Sequence, residues 1–340
     1  MKKIAGKPTE LKNVNTSLIM NSIRARGNAT RAEITRDTGL SHTTVRVILN
    51  ELMEINEIIS VGLDESSGGR RAERYKINPN KRYLIAISIE EEKIIYRIVN
   101  TLGEVLEENT KIIGSLEDIE IIINTIEALY RVYNNIEGIG ISVPGVVTDD
   151  GYLSGIRMED WKEIKIRKYL KERFDVPILL ENDINSASLA FYNDYIEKNK
   201  CDPISLVYVS FTSLGVGAGI VLNGNVLKGD NGYAGEIGFI PVGNTFLNAM
   251  MISNLDDDEY IQVIINTIKT ISAIINPSVV VLGGSNFKYY IKSRIIDMYT
   301  REFSIKTKIL IQEKNCNYSL EGIKEQSLRL INKEVKLIRN

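Results

Sequence analysis

Apolar residues recur at three- and four-residue spacing near the start of the chain, at Val14, Leu18, Ile19 and Ile23. That spacing predicts an amphipathic helix over 14–26, which Gly27-Asn28 ends. Thr30 followed by Glu33 has the spacing of a capping box, so a short second helix is expected over 31–38, stopped by Gly39. Ser41 can cap a third helix over 42–53. In it Val45, Ile48, Leu49 and Leu52 form the inward stripe and leave His42, Thr43, Arg46 and Asn50 toward solvent. Two helices joined by a short turn containing glycine make a helix-turn-helix pattern. Runs at 58–61 and 74–77 read as paired strands. Between them Ser66-Ser67-Gly68-Gly69-Arg70-Arg71 reads as a flexible basic wing.

From residue 83 the pattern changes. Three short strands are expected at 83–89, 93–100 and 103–109, then an amphipathic helix over 116–133 and a buried strand at 139–143. A similar series follows, with strands at 206–210, 218–222 and 225–228, an apolar helix over 259–275, and a strand at 279–282 ending in Gly283-Gly284. Strands, helix, strand, twice over, predict an α/β body of two similar halves. The expected division is a module over 1–80, a small lobe over 81–195 completed by a C-terminal helix at about 319–340, and a large lobe over 196–318.

Charge sharpens this picture. Residues 1–82 hold 15 Lys+Arg and 9 Asp+Glu, whereas the rest of the chain holds 27 against 35. A basic module on an acidic body fits a nucleic-acid reader joined to an effector domain. In helix-turn-helix motifs the N-terminal end of the second helix of the pair enters the major groove. Ser41, His42, Thr43, Thr44, Arg46 and Asn50 are therefore the candidate base and phosphate contacts, with Gly69, Arg70 and Arg71 reaching phosphates or a minor groove from the wing. No secretion signal and no apolar run near the ~20 residues of a membrane span is evident. Cys201 and Cys316 have no metal-type spacing. A cytoplasmic, reduced protein is the expectation.

The stretch from Arg31 through the Gly-Gly-Arg-Arg wing to Asn80 resembles the DNA-binding domain of ROK family repressors (repressor, open reading frame, kinase), with Arg46-Val47 where the family commonly has Ser-Arg. The body resembles the same family in four motifs. These are GIGISVPGVVTDDGYL at 138–153, VPILLENDINSASLA at 176–190, LKGDNGYAGEIGFIPVG at 227–243 and NPSVVVLGG at 276–284. The resemblance implies a winged helix-turn-helix followed by a two-lobed α/β, ribonuclease-H-like body of the actin-like ATPase and sugar-kinase type.

By that resemblance Asp183 is the position of the kinases' catalytic base, and Gly145, Asn182, Asp183 and Glu236 are candidate sugar contacts. Asp183 could instead be a relic carboxylate capping the helix that begins near 184, and Trp161 and Phe239 could pack in the core rather than stack on a sugar. Phosphate chemistry reads as lost. The first phosphate loop, Asp-x-Gly-Gly-Thr in the kinases, is Ser88-Ile89-Glu90-Glu91-Glu92 here, and three carboxylates would repel a triphosphate. The second, Gly-Thr-Gly, is Ser213-Leu214-Gly215. The family's zinc site needs a histidine and a cysteine cluster. Phe239 takes that histidine's place, no histidine follows residue 42, and only two cysteines exist, so no metal and no cofactor are expected. The reading is a non-enzymatic, DNA-binding regulator, a repressor of carbohydrate-related genes. Its partners would be a double-stranded operator and a sugar or sugar-phosphate effector, bound as a homodimer or higher assembly. Control by a protein partner, favoured by the stripped zinc loop, and an ATP-dependent sugar kinase are the alternatives.

Overall fold

A computed structural model describes residues 8–63, 71–90, 92–155, 160–253, 255–302, 307–312 and 317–331. The first unit runs α1 (Pro8–Arg26), β1 (Ala29–Thr30), α2 (Arg31–Thr38), α3 (His42–Glu54), β2 (Ile58–Leu63) and β3 (Glu73–Ile77). The capping box at α2 forms in both directions: the Glu33 amide donates to the Thr30 hydroxyl, and the Thr30 amide donates to the Glu33 carboxylate at 2.8 Å. Such a cap contributes about 1 kcal/mol. Gly39, at φ 68°, takes the left-handed conformation that ends α2 and turns the chain into α3. The four residues expected to face inward on α3 are its four buried ones. They join Ile19, Ile23, Ile34, Ile58 and Ile77 in one core. The strands form a small antiparallel sheet in the order β1-β3-β2. The wing residues Gly69 and Arg70 lie outside the described residues, and Arg71 is exposed.

Five residues connect this unit to the body, and they are tied down. The Asn78 side chain donates to the Asn56 carbonyl at 3.0 Å and Lys81 Nζ to the Ile55 carbonyl at 2.7 Å. Arg82 bridges Glu57 of the first unit and Glu137 of the body.

The body's first half comprises β4 (Tyr83–Ile89), β5 (Lys93–Asn100), β6 (Val105–Ile112), α4 (Ile119–Val132), β7 (Ile136–Val143), β8 (Val146–Val147), β9 (Tyr152–Ser154), β10 (Lys162–Ile164), α5 (Ile166–Lys171), β11 (Ile178–Asn182) and α6 (Asp183–Asn199). The second comprises β12 (Ser205–Thr212), β13 (Gly215–Leu222), β14 (Asn225–Val226), β15 (Pro241–Val242), β16 (Thr245–Phe246), α7 (Leu247–Ile252), α8 (Asp257–Ile275), β17 (Val279–Gly283), α9 (Lys292–Glu302), β18 (Lys308–Ile311) and α10 (Tyr318–Ile331). Their large sheets, β11-β7-β4-β5-β6 and β14-β13-β12-β17-β18, have the same topology. In each half the first strand pairs antiparallel with the second and parallel with the fourth, which pairs parallel with the fifth. The internal duplication expected from the pattern is thus visible strand by strand.

The closing helices of the halves are exchanged. α10 packs on β4 and β7 of the first sheet, α6 on β12 and β13 of the second, and the two helices pack on each other. The expectation that residues through 195 belong to the small lobe is corrected here. Ala187 and Tyr192 of α6 join Leu206, Tyr208 and Val221 in a second-half cluster, and Glu181–Asn182 mark the crossing point. Two strand bounds also shift: Gly103, at φ 87°, closes a turn rather than starting β6, and β14 stops at Val226. Residues 245–260, where the family resemblance is weakest, form β16, α7 and the capped start of α8. No helix among the described residues is long and apolar enough to cross a membrane.

Candidate functional site

Two places collect the candidate residues. The first is the outer face of α3. His42, Thr43, Arg46 and Asn50 are all exposed there, beside Val47 at 47% exposure. Ser41 and Thr44 are partly committed to the helix itself: the Thr44 amide donates to Ser41 Oγ at 3.1 Å, and the two hydroxyls lie 2.8 Å apart. His42 Nδ1 lies 3.4 Å from the Thr35 hydroxyl, so the ring leans back onto α2.

The second place is a cleft between the halves. Pro144, Gly145, Ser154 and Trp161 line one wall, Asn182 and Asp183 the floor, and Gly215–Gly217, Glu236, Phe239 and Asn248 the other wall. All four candidate ligand residues therefore meet. The turn after β7 places Gly145 at φ 154°, where a Cβ would sit 2.0 Å from the Leu153 carbonyl, so only glycine fits. Its carbonyl accepts from Asn182 Nδ2 at 3.0 Å, and Asn182 Oδ1 accepts the Asn185 amide at 2.9 Å. Asn182, not Asp183, is thus the N-cap of α6, which corrects the reading of Asp183 as a capping relic. One amide hydrogen of Asn182 is left over from these two bonds for a ligand.

Asp183 is free to serve the cleft. Its carboxylate accepts the adjacent Ile184 amide at 2.9 Å and its own backbone amide, both local bonds. Burial, reinforced by the Glu236 and Glu90 carboxylates, pushes its pKa up to about 7. Burial likewise raises the Glu236 carboxyl. A little of each residue's surface still meets cleft water, although protein surrounds the carboxylates on the other sides. Among the described residues, no lysine or arginine lines the cleft. Beneath the floor, the fully buried Tyr152 has a hydroxyl with no hydrogen-bond partner, and burial with the nearby Asp183 charge raises its pKa.

Three features of the cleft correct or extend the sequence reading. Trp161 and Phe239 are not core residues but half-buried at the cleft wall. Trp161 stacks on Tyr233 at a centroid distance of 5.6 Å and meets Phe239 edge-on at 5.5 Å. Asn248 of α7 sits over the turn at Gly215, its Oδ1 accepting the Val216 amide at 2.7 Å, so this backbone donor is already occupied. Glu181, buried, pairs with Lys228 and so ties the two halves together behind the floor. At the end of β4 Ser88 is buried and hydrogen-bonds Ser319 at 3.2 Å, while Glu90 pairs with Lys93 at 3.1 Å. Glu91 lies outside the described residues.

Comparison with known proteins places the chain. Residues 84–252 match the ROK family. The xylose repressor of Bacillus subtilis strain 168 is 27% identical over 241 residues, 69% of this chain and 62% of the relative. The N-acetylglucosamine repressor of Escherichia coli O6:H1 is 28% identical over 243 residues, 68% of this chain and 58% of the relative. The chain thus spans about three fifths of the length of the curated relatives it matches. Among solved structures, a ROK family transcriptional regulator homologous to the E. coli MLC protein superposes with a TM-score of 0.65 at 18% identity, over 94% of this chain and 96% of that one. A ROK hexokinase from Thermus thermophilus gives 0.54 at 18% identity, over 74% and 99%. At these identities the likeness is one of fold, that of the ROK sugar kinases.

Proposed function

The chain carries a ROK family domain, and on that footing we propose that it is a DNA-binding transcription regulator, a repressor of carbohydrate-related genes, whose body senses a sugar without phosphorylating it. The observation that carries this reading is the outer face of α3. It presents a basic residue, an amide and small hydroxyls on a helix whose opposite face is buried in its own core. Arg46 would pair with guanine and Asn50 with adenine, and Arg71 with its wing neighbours would contact phosphates. The repressor names of the relatives support it. Residues 8–77 would act as a winged helix-turn-helix, paired in a homodimer on half-sites one helical turn, ~34 Å, or a multiple of it apart.

In the body, Asp183, Glu236 and the remaining Asn182 amide hydrogen would meet sugar hydroxyls, with the Trp161–Phe239 wall against a ring face. Kinase activity is not part of the proposal. Glu90 near Asp183 and the occupied Val216 amide both oppose a triphosphate.

The DNA reading is tested by fluorescence anisotropy on fragments from the gene's own promoter region. Binding is expected to weaken about a thousandfold or more between 50 and 200 mM salt if six or more phosphates are contacted. Arg46→Ala is expected to lose roughly five- to 150-fold on the specific site. Affinity indifferent to salt would overturn the reading. The effector reading uses the chain's single tryptophan, which stands in the cleft wall. Titration with xylose or N-acetylglucosamine should change Trp161 fluorescence, while glucose 6-phosphate should not. A response to the phosphate ester alone would show that the cleft tolerates the charge its lining argues against.

A further inference from the structure

The α3 face carries one residue that neither helix stability nor packing accounts for. Thr43, Arg46, Val47 and Asn50 stand at positions i, i+3, i+4 and i+7, so they share one stripe of the helix surface. Seven residues at 1.5 Å each make that stripe about 10 Å long, or about three base steps. Val45, Ile48, Leu49 and Leu52 are buried, whereas Val47 stands 47% exposed among polar neighbours. A β-branched aliphatic in mid-helix is a poor helix former, and on a water-facing surface its methyls gain nothing from burial. What sets Val47 apart from the chain's other exposed aliphatics, such as Ile55 and Val132, is its place on one stripe between the polar residues Arg46 and Asn50.

We propose that Val47 reads the C5 methyl of a thymine in the major groove, between the base pairs addressed by Arg46 and Asn50. The inference rests on the DNA-binding reading of this module. The chemistry selects thymine on both sides. The two Val47 methyls bury the thymine methyl, the one apolar group on a major-groove edge. Opposite cytosine, the same methyls would strip water from the N4 amino donor and offer no acceptor in return. Arg46 and Asn50 are the polar contacts, and Val47 is the purely apolar element of the stripe between them.

The test removes one methyl and nothing else. The full-length chain selects sites from a randomised duplex library, and each thymine of the selected half-site is then replaced in turn by deoxyuridine. Binding is read by anisotropy for the wild type and for Val47→Ser, whose melting temperature is checked against the wild type because the position is exposed. One thymine is expected to matter, with its replacement weakening the wild type about fourfold per half-site, the value of one buried methyl-sized group. The same replacement should leave Val47→Ser indifferent. Sites that are bound but show no such position, or an equal loss in wild type and variant, would overturn the assignment and leave the DNA-binding reading standing. No selection of any site, with no salt-dependent binding to the library, would overturn both.

Discussion

Asp183→Asn is expected to raise the melting temperature of the sugar-free body at pH 8 and to abolish any sugar-induced change in Trp161 fluorescence. The stability effect follows from linkage. A carboxyl whose pKa is raised from 3.8 to about 7 on folding binds its proton more tightly in the native state. Between about pH 4 and pH 7 the native state therefore holds more protons than the unfolded chain, and stability falls as pH rises through that window. Above pH 7 the deficit is complete. Taken in full it would be about 4 kcal/mol, and water in the cleft screens part of it, leaving roughly 2–4 kcal/mol. At ~2–4 °C per kcal/mol the gain at pH 8 is roughly 4–16 °C. An asparagine can still accept the Ile184 amide and carries no charge to desolvate. Calorimetry at pH 5 and pH 8 reads the result: the gain at pH 5 should be less than half that at pH 8. The same gain at both values would mean that packing, not charge, sets the stability of the cleft floor.

The second large effect lies at the crossing of α6 and α10. Gly322 has no side chain because a Cβ there would sit 1.9 Å from the Ser186 carbonyl oxygen, a backbone atom that cannot swing aside. Gly322→Ala must push the two helices apart, and through them both sheets, since each helix covers the sheet of the other half. Overpacking of this kind costs about 1–3 kcal/mol, a fall of roughly 2–12 °C in the body's transition. Salt-dependent DNA binding, which uses a core with no residue in either helix, should survive at temperatures below that transition. A melting temperature within a degree of wild type would show that the helices can slide without loss.

The N-terminal module was legible because its signals are local. Thr30 with Glu33, Gly39, and the four inward positions of α3 lie within a few residues of what they specify. The α/β duplication was legible for the same reason, since strand and helix periods can be counted along the chain. The exchange of helices was not. In α6 the residues from Asn185 to Ala190 are all buried, because the helix is sandwiched between α10 and the second sheet, so no single apolar stripe points to a partner. The cleft was half legible. Gly145, Asn182, Asp183 and Glu236 sit in recognisable motifs, but Trp161, Tyr233 and Phe239 come from separate segments, and only the fold brings their rings together. Asn248 lies in α7, and its capture of the Val216 amide is a contact across 32 residues that no local spacing announces.

The return of α10 to the first sheet also fixes an order of events during synthesis. The N-terminal module has its whole core by Ile77. The face formed by β4 and β7 stays uncovered until α10, beginning at Tyr318, has left the ribosome. At 5–20 residues per second that interval is roughly 12–50 s, during which a finished N-terminal module is tethered to an unfinished body. On the proposed function, messages cut short before that helix would yield N-terminal modules that compete for operators but lack the body proposed to answer a sugar. Nonsense mutations late in the gene are therefore expected to behave as interfering alleles, not as simple losses.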